Sequence, residues 1–397
     1  MRILQLTSRI PYPPDDGGKI ATFEIIKHLA LRGHEITLLS IDSSQNNDIS
    51  NLRKYCTVET VTMNTANNYA GMLLNLFSPV PYTVSKYHGE SVLRRLKELL
   101  QRDQFDIAHI ESLHMAYYGE FIKKGFGLPV VLREQNVETT IWERYYQGIS
   151  NPLVRAYARL QFNKLYKYES SIVADFDRCF MITEKDNERI EEMNPRVKAS
   201  VIPAGVDTSY FHPLSVPIEP YSIVSVAGMD WPPNIEGILW FTAKVWPVVK
   251  RKLPQARIYI VGKNPPAKIK KLATEDVIVT GFIEDAREYM AKAAVSIVPL
   301  WSGGGMRIKI LNALAMGKAV VSTSVGCEGI DVENGRNICI ADAEEEFAQR
   351  IIELVEDESK RKELGEEGLN LVREKYQWEA IAEQIEREYE KILRCRK

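Results

Sequence analysis

Short apolar runs alternate with stretches of helical spacing along nearly the whole chain. RILQLT is a strand-like run, and the turn-rich SRIPYPPDDGG follows it. KIATFEIIKHLALRG then sets Ile20, Phe23, Ile25, Ile26 and Leu29 at helical intervals ahead of Gly33, which suits a helix C-cap. HEITLLSI completes a strand–helix–strand unit with a glycine pair after its first strand. FDIAHI, PVVLRE and DRCFMIT predict further strands, and ESVLRRLKELLQR and NPLVRAYARLQFNKLYKYESSIV predict helices. SVIPAGVDTSYFHPLSVPIEP holds four prolines and no periodicity, and reads as a linker. The alternation restarts with the strands YSIVSVAG, ARIYIVG, VIVTGFI, VSIVPL and KAVVSTSV, one long helix over PNIEGILWFTAKVWPVVKRKLP, and a final amphipathic helix WEAIAEQIEREYEKILR. This pattern predicts an α/β protein of two doubly wound, Rossmann-like domains facing a cleft, with boundaries at 1–203, 204–375 and 376–397.

Composition narrows the class. A chain of 397 residues suits two domains of roughly 100–200 residues each. A net charge of −2 lacks the basic excess of a nucleic-acid binder. Cys56, Cys179, Cys327, Cys339 and Cys395 show neither metal-site nor redox spacing, so free thiols and no metal site are expected. No apolar run approaches the roughly 18 residues of a membrane span, and the N-terminal run is too short for a signal peptide. A cytoplasmic protein is expected. Peripheral contact with the inner face of an anionic membrane is a second expectation. Arg155, Arg159, Lys164 and Lys167 lie among apolar residues without an acid, and NYAGMLLNLFSPVPY is apolar. A core-packed helix with solvated cations is the competing reading.

Ligands of open α/β sheets bind at the carboxyl ends of strands, and helix N-termini there attract phosphate. Gly303, Gly304 and Gly305 follow VSIVPL, and glycine allows close backbone approach. Arg307 and Lys309 next to them oppose a helix dipole unless an anion such as a diphosphate is bound; otherwise they are solvated loop cations. Lys309 and Asn312 share a helix face. Gly17 and Gly18 form either a tight turn or a substrate-approach loop. In DIAHIESLHMAYYGEF, strand alternation points His109 and Glu111 the same way; His109 suits the core and His114, beyond the strand end, suits the cleft. Glu134, Asn136 and Glu138 leave another strand and suit a hydroxyl-rich substrate, or else a cap at Asn136 with Glu138 in the first turn. Glu328, Gly329 and Ile330 form a tight loop whose backbone suits a donor, or a plain turn.

The order PYPPDDGG, LALRGHEITLLS, FDIAHIES, MITEKDNERI, VIPAGVDTSYFHP, YIVG, VTGFIEDAREYMAKAAVSIVPL, GGGMRIKILNALAMGKAVVST and CEGI resembles glycosyltransferase family 4 of the GT-B fold, and within it the bacterial polysaccharide-type sugar transferases. The resemblance implies retaining, metal-independent transfer from a nucleoside diphosphate sugar to a glycan or lipid-linked acceptor, with no cofactor. It assigns the donor to the C-terminal domain, the acceptor to the N-terminal domain, and a last helix crossing back to the latter. It gives His114 a contact to the donor sugar, closes the loop around Gly18 over the phosphates, and sets Gly228 in the donor site. Relatives carry two glutamates where Gly304 and Asn312 stand here, and an Arg-Lys pair where this chain reads AGMDWPPNIEG. Arg307 and Lys309 replace that pair. A GT-B-like sugar-nucleotide epimerase and a non-catalytic sugar-nucleotide-binding protein remain as alternatives.

Overall fold

The computed structural model describes residues 1–14, 16–43, 49–303 and 305–395. The chain divides into two units, Met1–Pro203 with Ile381–Lys397, and Ala204–Ala380.

The first unit runs β1 (Arg2–Thr7), α1 (Gly17–Leu31), β2 (Glu35–Asp42), β3 (Thr57–Thr62), α2 (Tyr69–Leu74), α3 (Tyr82–Ser85), α4 (Glu90–Arg102), β4 (Ile107–Glu111), α5 (Ala116–Phe126), β5 (Val130–Glu134), α6 (Glu138–Gln147), α7 (Pro152–Ile172), β6 (Arg178–Met181), α8 (Glu184–Met193) and β7 (Ala199–Val201). Its parallel sheet has the order β3-β2-β1-β4-β5-β6-β7. The direction of winding reverses between β1 and β4, so the ends of these strands flank a natural ligand crevice. The inner strands are apolar runs because helices cover both faces. Pairing at the margins added β3 and β7, which the hydrophobic pattern did not predict. TVETVT is only half-buried, and the three residues of β7 are too few to show a pattern. Helix α1 starts where Asp16 accepts the Lys19 N–H and holds the Arg9 guanidinium through two bonds of 2.7 Å.

The second unit runs β8 (Ser222–Val226), α9 (Pro232–Trp240), α10 (Trp246–Lys252), β9 (Arg257–Val261), α11 (Ala267–Lys270), β10 (Val277–Gly281), α12 (Arg287–Lys292), β11 (Val295–Val298), α13 (Ile308–Ala315), β12 (Ala319–Ser322), β13 (Cys339–Ile340), α14 (Glu344–Glu356) and α15 (Glu358–Lys375). Its parallel sheet has the order β10-β9-β8-β11-β12-β13, with the reversal between β8 and β11. The long helix expected over 233–254 is broken by a π turn, Phe241–Val245. Pro247 has no N–H to give and its ring crowds the carbonyl four residues earlier, so the wider turn accommodates it. Two glycines permit backbone contacts beside the reversal. A Cβ on Gly237 of α9 would lie 2.0 Å from the Pro299 carbonyl oxygen, and one on Gly262 would lie 1.7 Å from that of Ala227.

The proline-rich stretch after residue 203 is built into the second unit rather than left as a free linker. Ala204 and Val206 are buried, the Val206 N–H donates to the Tyr376 carbonyl at 2.7 Å, and a Cβ on Gly205 would meet the Trp378 ring at 2.7 Å. Tyr376 therefore packs with the second unit, and the division falls after Ala380 rather than after 375. Helix α16 (Trp378–Arg394) belongs to the first unit from Ile381 onward. There Glu386 pairs with Arg32 and with His34 (3.0 Å), Gln384 donates to the Val201 carbonyl at 2.9 Å, and the buried Tyr389 hydroxyl bonds His109 Nδ1.

Gly237→Ala forces a methyl group into the Pro299 carbonyl, so α9 must lift from the sheet. A loss of roughly 1–3 kcal/mol is expected, the usual cost of overpacking, and is read as a lowered Tm. An unchanged Tm would show that this contact does not hold α9.

Candidate functional site

The ends of β1, β4 and β5 open onto a cavity of about 300 Å³ within the first unit. Of the predicted residues, Gly18, Glu111, His114, Glu134, Asn136 and Glu138 line it together with Arg9 and Lys19. Gly17 opens α1 on its exposed side and is not among the lining residues. A Cβ on Gly18 would lie 2.5 Å from Gln135 Oε1, so glycine here makes room for the β5 loop. His114 sits on a 3₁₀ turn, Leu113–Met115, entered through Ser112 at φ 73°. Burial, reinforced by the charge of Lys86, pushes the His114 pKa down to about 4. Its imidazole is neutral at neutral pH and acts as a hydrogen-bonding group.

The carboxylates of this cavity differ in state. Glu111 is buried, which by itself raises its pKa, but Arg133 and His109 outweigh that and hold it below the ordinary carboxylate range. Arg133 Nη1 and His109 Nε2 each lie 3.3 Å from its oxygens, and Gln5 Nε2 lies at 3.5 Å. On the other side of the ring, His109 Nδ1 is hydrogen-bonded to the Tyr389 hydroxyl. Glu111 is thus anchored from inside the sheet as an ionised wall of the cavity. His109 is a core residue.

Glu134 is forced well above the usual range by burial and by Glu169 and Glu138. Glu138 is pushed up to about 8 by burial and Glu169. Both therefore offer protonated carboxyls at neutral pH, able to donate as well as accept. The expected cap at Asn136 is absent. Val137 holds the N-cap position of α6, and Glu169, reaching across from α7, accepts the Glu138 and Thr139 N–H groups at 2.8 and 2.9 Å. Sequence reasoning missed Glu169 because it lies some thirty residues away on a helix that reads as basic.

The second unit gathers its candidates at the reversal between β8 and β11. Arg307 occupies the N-cap position of α13, outside the helix, and is 4% exposed. Its guanidinium bonds the Gly305 carbonyl and lies 5.8 Å from the Trp231 ring centre. Lys309, in the first turn, donates to Asn234 Oδ1 at 2.5 Å, and Asn234 Nδ2 donates to the Gly228 carbonyl at 2.7 Å. Burial, and then the charge of Arg307, lower the Lys309 pKa to about 7. Asn312 Oδ1 is buried with no hydrogen-bond partner among the described residues. Gly303 (φ 115°) and Gly305 (φ 72°) hold left-handed conformations that favour glycine, and Gly304 lies outside the described residues. Gly329 turns at φ 81° beside Glu328. Ile330 is instead a core residue, 7% exposed, whose N–H donates to the Cys327 carbonyl at 3.1 Å, so the turn already uses that group. Trp231 and Asn234 were missed because DWPPN reads simply as a proline-led helix start.

Among the described residues no helix is long and apolar enough to cross a membrane, and no group of three His, Cys, Asp or Glu side chains is placed to hold a metal ion.

The family described as Glycosyltransferase Family 4 matches residues 16–210, and that described as Glycosyl transferases group 1 matches 220–357. A Klebsiella pneumoniae protein described as an uncharacterized 44.6 kDa protein in the cps region is 22% identical over 98% of this chain and 99% of its own. The structure of sucrose-phosphate synthase from Thermosynechococcus elongatus is similar at a TM-score of 0.75 and 15% identity, covering 100% of each chain. That of Anabaena HepE in complex with UDP is similar at a TM-score of 0.72 and 15% identity, covering 98% of this chain and 100% of its own. The two parallel-sheet units have the GT-B fold.

Glu138 holds its proton more tightly in the folded chain than when unfolded, where its pKa is 4.5. Its stabilising contribution is complete below that value and is lost as pH rises through about 8. Glu138→Gln keeps a neutral side chain at every pH. Its Tm relative to the parent should therefore climb from about pH 5 to about pH 9. A difference independent of pH contradicts the assignment.

Proposed function

The chain belongs to glycosyltransferase family 4, and from that premise we propose that it carries out retaining, metal-independent transfer of a sugar from a nucleoside diphosphate sugar to a hydroxyl of a glycan or lipid-linked acceptor. The pathway we infer is cell-surface polysaccharide or glycolipid synthesis, in keeping with the cps-region description of the Klebsiella relative.

The observation that carries this reading is the pair Arg307 and Lys309 at the start of α13, the first buried and the second half-buried, with Lys309 held by a neutral amide. Burying like charges side by side costs stability unless an anion joins them. A diphosphate supplies that anion, and its charge grows as the bond to the sugar breaks. Preorganised cations and free N–H groups stabilise that growth, and here they do the work a divalent ion does elsewhere. Gly228, Gly303 and Gly305 let donor and backbone approach, and Gly304, Glu328 and Gly329 are assigned to donor binding with them. The open Asn312 Oδ1 suits a ribose hydroxyl, which donates to it. The UDP complex of HepE is a neighbour holding a ligand of this class.

In this reading neutral His114 bonds a hydroxyl of the donor sugar, and Glu134, Asn136 and Glu138 orient the acceptor, with Glu111 as a fixed negative wall. The acceptor oxygen bonds the anomeric carbon on the face from which the diphosphate leaves. The carbon–oxygen bond to the phosphate breaks, and the acceptor's proton passes to the departing phosphate oxygen.

Lys309→Ala should lower turnover about 100-fold, the scale seen on removing one such donor. Full activity in the variant contradicts the role. A panel of nucleotide sugars, with and without acceptor, separates the alternatives. An epimerase changes the sugar without acceptor, and a non-catalytic protein binds and releases nothing.

Lys309 titrates near pH 7 in the free protein, so a bound diphosphate raises its pKa and draws in a proton. Donor affinity should fall as pH rises above about 7, with proton uptake visible by calorimetry in buffers of different ionisation heat. Lys309→Met should abolish that uptake. Equal uptake in parent and variant overturns the assignment.

A further inference from the structure

Away from the cavity, the first unit carries a surface that its core does not explain. On α2 and the 3₁₀ turn after it, Phe77 is 91% exposed, Tyr69 87%, Leu74 74% and Leu73 65%. On α7, Leu153 is 83% exposed and Leu160 38%. Contiguous apolar exposure of this kind marks an interaction surface.

Three hydrogen bonds join these segments into one face. Lys164 of α7 donates to the Asn75 carbonyl at 2.6 Å and to that of Leu76 at 3.2 Å, and Gln161 Nε2 donates to Asn75 Oδ1 at 3.1 Å. Leu153, Leu160 and Lys164 are seven and four residues apart, so they share the side of α7 that meets the turn bearing Phe77. Lys164 acts as the clamp between the two segments, since carbonyl oxygens engage its ammonium.

The remaining charge is of one sign. Arg155, Arg159 and Lys167 are exposed and form no ion pair among the described residues. Neither residues 64–89 nor 151–168 contain an aspartate or glutamate. A second copy of the chain docking here would bring like charges together across the symmetry axis. An anionic bilayer presents the opposite charge to the cations and a hydrocarbon boundary to Phe77, Leu74 and Leu153. We propose that this surface docks the protein on anionic membrane, with the apolar side chains of α2 and α7 entering the interface and Arg155, Arg159 and Lys167 on the headgroups. The proposal stands independently of glycosyl transfer, and it would bring a lipid-linked acceptor to the same surface.

The test is co-sedimentation of the whole chain with vesicles of phosphatidylcholine alone and of an equimolar mixture with phosphatidylglycerol. Binding is expected to the mixed vesicles only, and to weaken as salt is raised. Phe77→Glu, or Arg155→Glu with Arg159→Glu, should weaken it about tenfold or more at unchanged Tm. Failure to bind the mixed vesicles, equal binding by Phe77→Glu and parent, or a parent dimer that Phe77→Glu dissociates each overturns the proposal. Release of nucleotide from a donor, assayed without vesicles, is expected to be the same in parent and variants. Loss of that release in the parent would count against glycosyl transfer and leave the docking result intact.

Discussion

A parallel sheet covered by helices on both faces leaves only the ends of its strands for polar chemistry. Both candidate sites follow from that restriction, applied once in each unit at the reversal of strand order. The first unit departs from it inside the sheet, where Gln5, His109, Glu111 and Arg133 are all buried. Such a layer costs least where its members bond one another, and here Gln5 Oε1, Arg133 Nε and Arg133 Nη2 keep no hydrogen-bond partner among the described residues. Arg133 and His109 answer Glu111, and Tyr389 on the last helix answers His109. The interior network thereby fixes a carboxylate whose far side forms the cavity wall.

The two sites share an electrostatic logic despite opposite signs. In the first unit, burial and repulsion from Glu169 keep Glu134 and Glu138 protonated. In the second, burial and Arg307 draw the lysine toward neutrality. Each site empties part of its charge when unliganded, and each can recover it when a partner of the right polarity arrives. Charge held in reserve costs the fold less than charge permanently exposed to a low dielectric.

The sequence carried the inner strands, the main helices and the strand-end loops clearly, because full burial writes continuous apolar runs and single-face burial writes helical spacing. It was silent where structure depends on partners. β3, β7 and the two-residue β13 exist through pairing with a neighbour. The π turn records a conflict between Pro247 and a helix that the spacing alone supports. At the sites, Gly18, His114, Glu134 and Lys309 were legible as polar or glycine residues at strand ends. Asn234 and Glu169 were not, since each acts across a long stretch of chain through a single side-chain contact. Ile330 shows the converse: a loop position is also a core position when the turn beneath it points inward.

The return of α16 to the first unit also sets an order of assembly. The residues that cover His109 and pair with Arg32 and His34 are made only after the whole of the second unit. During synthesis the second unit has its complete sequence first, while the earlier unit waits with a polar layer still uncovered. The first unit is thus closed only after the second has been synthesised.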